Sequence, residues 1–92
     1  MNKVTLSGHI IIPFEDRSIV LAELETHRRL TRNEPGCLCF EVTQNPDDIH
    51  RFDVYEEFVN HEAFLQHQRR VQESQWGKVT QNVARYYDIT ES

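Results

Sequence analysis

The hydrophobic period of this chain alternates between two residues and three to four, and the order of the changes restricts what it can fold into. "KVTLSGHIII" (residues 3–12) is dominated by β-branched and apolar residues and reads as a strand, with Gly8 marking a bulge or a close backbone approach. Pro13 ends it. In "EDRSIVLAELETHRRLTRN" the period lengthens: Val20, Leu24, His27 and Thr31 form one stripe flanked by Leu21 and Leu30, and charges fill the opposite side. Asp16 or Ser18 is placed to cap this helix, and Pro35 and Gly36 of "NEPG" stop it. "CLCFEVTQ" (residues 37–44) and "HRFDVYEEFV" (residues 50–59) are strands joined by the turn residues "NPDD", which predicts an antiparallel hairpin. Asn60 is a good N-cap for a second helix running from residue 61 to about residue 75, with Gly77 breaking or continuing it. "NVARYYDIT" (residues 82–90) closes the pattern as a fourth strand.

The order is β-α-β-β-α-β, the ferredoxin-like α+β arrangement: a four-stranded antiparallel sheet with two helices on one face. Residues 1–92 are read as a single domain of this kind. Alternation in the third strand separates Phe52, Val54, Glu56 and Phe58 from Asp53, Tyr55 and Glu57. In the second strand it separates Leu38, Phe40 and Val42 from Cys37, Cys39, Glu41 and Thr43, and in the fourth Val83, Tyr87 and Ile89 from Ala84 and Tyr86. Neither side is plainly polar. Two helices cover only one face, so the open face is expected to meet the same face of a second copy about a two-fold axis.

Composition narrows the function classes. A net charge of −5, with acids and bases mixed, lacks the basic patch of a nucleic-acid binder. "HRRL" and "QRR" read as solvated helix faces. No apolar run approaches a membrane span, and the N-terminal apolar stretch is too short for a secretory signal, so a cytoplasmic location is expected. Cys37 and Cys39, alternating on one strand, would share a face. A direct bridge would be strained, and no further metal ligands lie at suitable spacing. Two reduced thiols and no metal site are the expectation.

"EPGCLCFEV", "NPDD" and "RFDVYEEFVNHEAFLQH", in this order and spacing, resemble the antibiotic biosynthesis monooxygenase domain, a branch of the dimeric α+β barrel superfamily. The resemblance covers nearly the whole chain. It implies a homodimer whose two sheets form a barrel, with a pocket between sheet and helices in each subunit. It also implies either oxygenation of phenolic or quinol-like aromatics without metal or flavin, haem degradation, or no catalysis. The haem-degrading branch carries Asn, Trp and His where this chain has Gly8, His67 and Gly77, so that reading is disfavoured.

The candidate chemistry centres on His67. Phe64, His67 and Val71 share one helix face, which puts the imidazole at the wall of the pocket. Its ordinary pKa suits proton transfer near neutrality, and apolar surroundings favour the basic, neutral form. A cofactor-free oxygenase needs a base to turn a hydroxyl into its anion and a dry aromatic pocket to hold it. His67 is the expected base, with Tyr55 and Glu56 next. His9, Phe40, Phe58, Phe64, Val71 and Trp76 are the expected lining, with Tyr55 and Tyr86 or Tyr87 further candidates. His27 is placed at the solvent edge of its helix. The rival readings are a non-catalytic small-molecule-binding or interaction barrel, in which His67 is a packed side chain, and an isomerase or decarboxylase using the same base.

Overall fold

The computed structural model describes residues 2–92. Strands β1 (Val4–Ile11), β2 (Cys37–Asn45), β3 (Asp48–Phe58) and β4 (Ala84–Glu91) form one antiparallel sheet in the order β2-β3-β1-β4. A 3-10 turn (Phe14–Asp16) leads into α1 (Arg17–Arg32). Then α2 (His61–Glu73) and a short α3 (Gln75–Val79) fill the connection from β3 to β4. The ferredoxin-like order is the predicted one.

The sheet's inner face is fixed by register. Phe58 stands opposite Val4, Glu56 opposite Leu6, Val54 opposite Gly8 and Phe52 opposite Ile10. Phe40 and Val42 of β2 continue these rows, opposite Glu56 and Val54. Val20 and Leu24 of α1, Phe64 of α2 and Trp76 of α3 pack onto them in one buried cluster. Full burial of each large apolar side chain contributes roughly 1.5–3 kcal/mol, so this face holds the fold together. Gly8 has φ +152°, and a Cβ there would lie 1.9 Å from the Tyr86 carbonyl oxygen. The close approach read from the sequence is therefore real, and only glycine permits it.

Several local expectations change. Asn60 caps α2 as predicted, its Oδ1 accepting from the Ala63 amide at 2.8 Å. Asp16 occupies the N-cap position of α1, but its side chain makes no capping bond, because the 3-10 turn already leads the backbone in. The break after α2 falls at Ser74, not Gly77. Ser74 is extended, donates to the Val71 carbonyl at 2.8 Å and accepts from the Gly77 amide at 3.3 Å. The two cysteines do not share a face. A register shift pairs Cys37 with inward Phe58 and Cys39 with outward Glu57, and leaves Leu38 exposed. This is the bulge geometry, in which one extra residue resets the alternation. His27 is not at a solvent edge: it is 5% exposed, as the stripe it shares with Val20, Leu24 and Thr31 demanded.

The open face is more polar than expected. Register places Thr5, Ser7, His9, Thr43, Asp53, Glu57, Asp88 and Thr90 there, with Tyr55 and Tyr86 among them. No helix among the described residues is long and apolar enough to cross a membrane.

Candidate active site

Between the sheet and the helices lies a cavity of about 210 Å³. Leu6, Ile10, Val54 and Tyr87, the neighbours of side-chain-free Gly8 in the sheet, line one side of it. Phe40, His27, Val71 and Trp76 are also in its walls, as are Glu56 and His67.

Glu56 is carried into this apolar row by strand alternation, and it is 6% exposed. Its Oε1 has no hydrogen-bond partner among the described residues. Burial raises its pKa to about 7; neighbouring His67 pulls it down, and the charge on Glu34 adds to the rise. Its nearest basic atom is His67 Nε2, 3.7 Å away, too far for a hydrogen bond.

His67 is 4% exposed, on the inner face of α2. Phe58 packs against its ring, centroids 4.9 Å apart, with Phe40 at 6.4 Å. Its Nδ1 lies 3.0 and 3.2 Å from the two oxygens of Glu34. Glu34 follows the end of α1, in the turn before Pro35 and Gly36. Arg70 of α2 donates its Nε to the same carboxylate and its Nη2 to Thr31 Oγ1 at 2.9 Å. Burial alone would raise the Glu34 pKa, but the hydrogen bonds from His67 and Arg70 outweigh it and hold it below the ordinary carboxylate value.

Next to His67, His27 stacks on Trp76 with centroids 4.5 Å apart and planes within 3°. Its Nδ1 is buried without a partner. Burial, helped by the charges of His67, Arg70 and Arg85 and opposed by Glu34, lowers its pKa to about 3, so it is neutral. Tyr87 is pushed up to about 12 by burial and by Glu56.

The structure thus brings His67, Glu56, Phe40, Val71 and Trp76 together around the cavity. Phe58 and Phe64 stand behind His67, their rings 5.6 Å apart in an edge-to-face contact. Tyr55 and His9 are elsewhere. Tyr55 is 38% exposed on the open face, bonded to Glu57. His9 stacks on Tyr86 at 4.9 Å on that same face. The site expected from the sequence has no role for Glu34, Gln68 and Arg85, and His27 and Arg70 are expected at solvent. Of these, only His27 carried a signal, its place on the apolar stripe.

A ferredoxin-like sheet with helices on one face, enclosing a cavity with an acid and an imidazole in its wall, defines the class. The profile of the antibiotic biosynthesis monooxygenase family matches residues 5–78, and the chain belongs to that family. Solved structures share the fold. A Bacteroides thetaiotaomicron protein of unknown function, suggested to be an oxidoreductase, superimposes with a TM-score of 0.84 at 14% identity, covering 99% of this chain and 98% of that one. A second protein from that organism, provisionally named an antibiotic biosynthesis monooxygenase, gives 0.79 at 21% identity, covering 99% and 87%. One from Nitrosomonas europaea with the same provisional name gives 0.74 at 18%, covering 99% and 88%. No curated protein matches the chain. At the haem-degrading positions, a Cβ on Gly8 would meet the Tyr86 carbonyl oxygen and one on Gly77 would come 2.4 Å from the Val71 carbonyl oxygen. Neither site has room for the Asn or His of that branch.

Proposed function

We propose that this protein is a cofactor-independent monooxygenase that oxidises a small phenolic or quinol-like aromatic with O₂. In this reading it works as a homodimer in the cytoplasm. The observation that carries the proposal is the pairing of unpartnered, buried Glu56 with His67 at the wall of an aromatic cavity.

The pair takes the hydroxyl proton. A carboxylate with a pKa of about 7 is a stronger base than an ordinary one and is about half ionised at neutrality, where general bases work best. The phenolate gives one electron to O₂, and the resulting radical and superoxide join at a ring carbon that bears hydrogen, ortho or para to the oxygen. The pair returns the proton to the peroxide. Loss of water, using the hydrogen on that carbon, then leaves a quinone. One phenol and one O₂ become one quinone and one water. Phe40, Val71 and Trp76 hold the flat substrate and keep water out.

A second copy on the open face would cover Tyr55, His9 and Tyr86, and sedimentation as a monomer at micromolar concentration would remove the dimer from this reading. Cys37 and Cys39, directed to opposite faces, suit a compartment in which thiols stay reduced.

The test is oxygen uptake with a panel of hydroquinones and polyphenols, on metal-stripped protein, comparing the parent with His67→Ala and Glu56→Gln. Uptake by the parent is expected, with each variant slowed by about 100-fold or more, as befits a lost general base. Uptake no faster than the protein-free blank with every compound would sink the oxygenase reading and leave the binding barrel.

A further inference from the structure

His67 has two ring nitrogens, and the structure treats them differently. Nδ1 lies 3.0 Å from one Glu34 oxygen and 3.2 Å from the other. Nε2 faces Glu56 across 3.7 Å and makes no hydrogen bond at that distance. A carboxylate can only accept, so a neutral His67 beside Glu34 must carry its hydrogen on Nδ1. Nε2 is then left bare.

Glu34 is well fixed for this task. Its side chain is 16% exposed. Arg70 grips one of its oxygens and is itself anchored on Thr31, which is fully buried. The turn that carries Glu34 is tied to its neighbours by backbone bonds: the Glu34 amide donates to the Thr31 carbonyl at 3.1 Å and the Cys37 amide to the Glu34 carbonyl at 3.1 Å. Just beyond, the Val59 amide donates to Gly36 at 2.9 Å, which seats the turn against the end of β3. The carboxylate is therefore held by Arg70, on a turn fixed by backbone bonds, before it meets the imidazole.

We infer that Glu34 is a positioning residue that locks His67 as the Nδ1–H tautomer, so that Nε2 and the Glu56 carboxylate face each other as two acceptors that only a shared hydrogen can join. A hydroxyl group of a ligand supplies that hydrogen. A ligand offering only carbonyl or ether oxygens does not, and is rejected by repulsion between acceptors when Glu56 is ionised. The notch thus reads hydrogen-bond donors. An unconstrained neutral histidine prefers its hydrogen on Nε2, which would turn the ring into a donor toward Glu56 and reverse this polarity.

The tautomer is measurable on the protein alone. Long-range ¹H–¹⁵N correlation spectra of ¹⁵N-labelled protein above pH 8, with His67 assigned by its disappearance in His67→Ala, are expected to show protonated Nδ1 and bare Nε2. Glu34→Ala should shift the hydrogen to Nε2. Glu34→Gln, which keeps an oxygen for the same hydrogen, should restore the parent pattern, and Arg70→Met should leave it in place. Parent protein with the hydrogen on Nε2, or a tautomer unmoved in a folded Glu34→Ala, would overturn the inference. Should Glu34→Ala not fold, the parent spectrum decides alone. The kinetic consequence rests on the oxygenase reading: for any phenol the parent oxidises, Glu34→Ala should lower kcat by about 100-fold, the low end of what a placed base supplies, with KM little changed. Absence of oxygen uptake would remove that consequence and leave the tautomer result standing.

Discussion

Two histidines face the same cavity at nearly the same depth, His67 at 4% exposure and His27 at 5%. Their ring centroids are 6.0 Å apart. His67 has a carboxylate bonded to one nitrogen and another carboxylate facing the second. His27 has Trp76 stacked on its face, Phe40 edge-on, and no hydrogen-bond partner for Nδ1. Burial alone does not make a histidine reactive. The wall with acids can hold and move a proton, while the wall with rings suppresses the charge altogether. The acid-flanked ring and the ring-flanked one are neighbours in a single lining, so chemistry and an apolar surface lie side by side.

The largest expected effect on stability comes from the quiet wall. His27 has a folded pKa of about 3 against an ordinary 6.5, so as pH falls the unfolded chain takes up the proton first and the native state loses stability. That loss should reach on the order of 5 kcal/mol between pH 6.5 and 3, at about 1.4 kcal/mol per unit. Urea unfolding of His27→Leu between pH 4.5 and 3, where Glu56 no longer offsets the His27 loss, should show a much shallower acid limb than the parent, each value referred to the same protein at pH 4.5. An equally steep limb would mean that His27 is protonated in the fold and that the contrast between the walls is false.

Glu56 tilts stability the other way. Its folded pKa of about 7 lies above the ordinary 4.5, so the unfolded chain releases the proton first as pH rises. The native state should lose on the order of 3 kcal/mol between pH 4.5 and 7, a loss absent in Glu56→Gln. Between 4.5 and 6.5 the two residues oppose each other, one proton each, and the parent's contribution from the pair should be nearly flat. Each single variant uncovers the slope its partner was masking. The smallest effect belongs outside the cavity: Tyr55→Phe, on the open face, should change unfolding free energy by less than about 0.5 kcal/mol. It should also leave oxygen uptake alone, and a large fall in uptake would return Tyr55 to the site.

The contrast also separates what the sequence disclosed from what it withheld. Strand order, the Asn60 cap and the inward set Phe52, Val54, Glu56 and Phe58 depend on local chemistry and period, which neighbours in sequence reveal. The same alternation that sends Glu56 in sends Tyr55 out, so expecting both in one cavity ran against the strand's own period. Glu34 lies 33 residues from His67, in a turn whose composition announces only a helix stop. Its role depends on how α2 crosses that turn, which no short window contains. The Cys37–Cys39 bulge was hidden for a related reason, since two-versus-one pairing belongs to the partner strand as much as to the strand itself. His27 was legible on its stripe, and its polarity argued against the position its spacing required.

The close pass of that turn against α2 has a further consequence. A Cβ on Gly36 would come 2.3 Å from the Ala63 Cβ, so the gap between Glu34 and His67 is gauged by two of the smallest side chains in the molecule. Neither is ionisable, and neither lines the cavity. For anyone seeking to retune this site, they are a mechanical adjustment screw: one methyl group at residue 36 would wedge the elements apart. Displacements near 1 Å can cost about 100-fold in rate, so reactivity here is adjustable from a position that touches no reacting group.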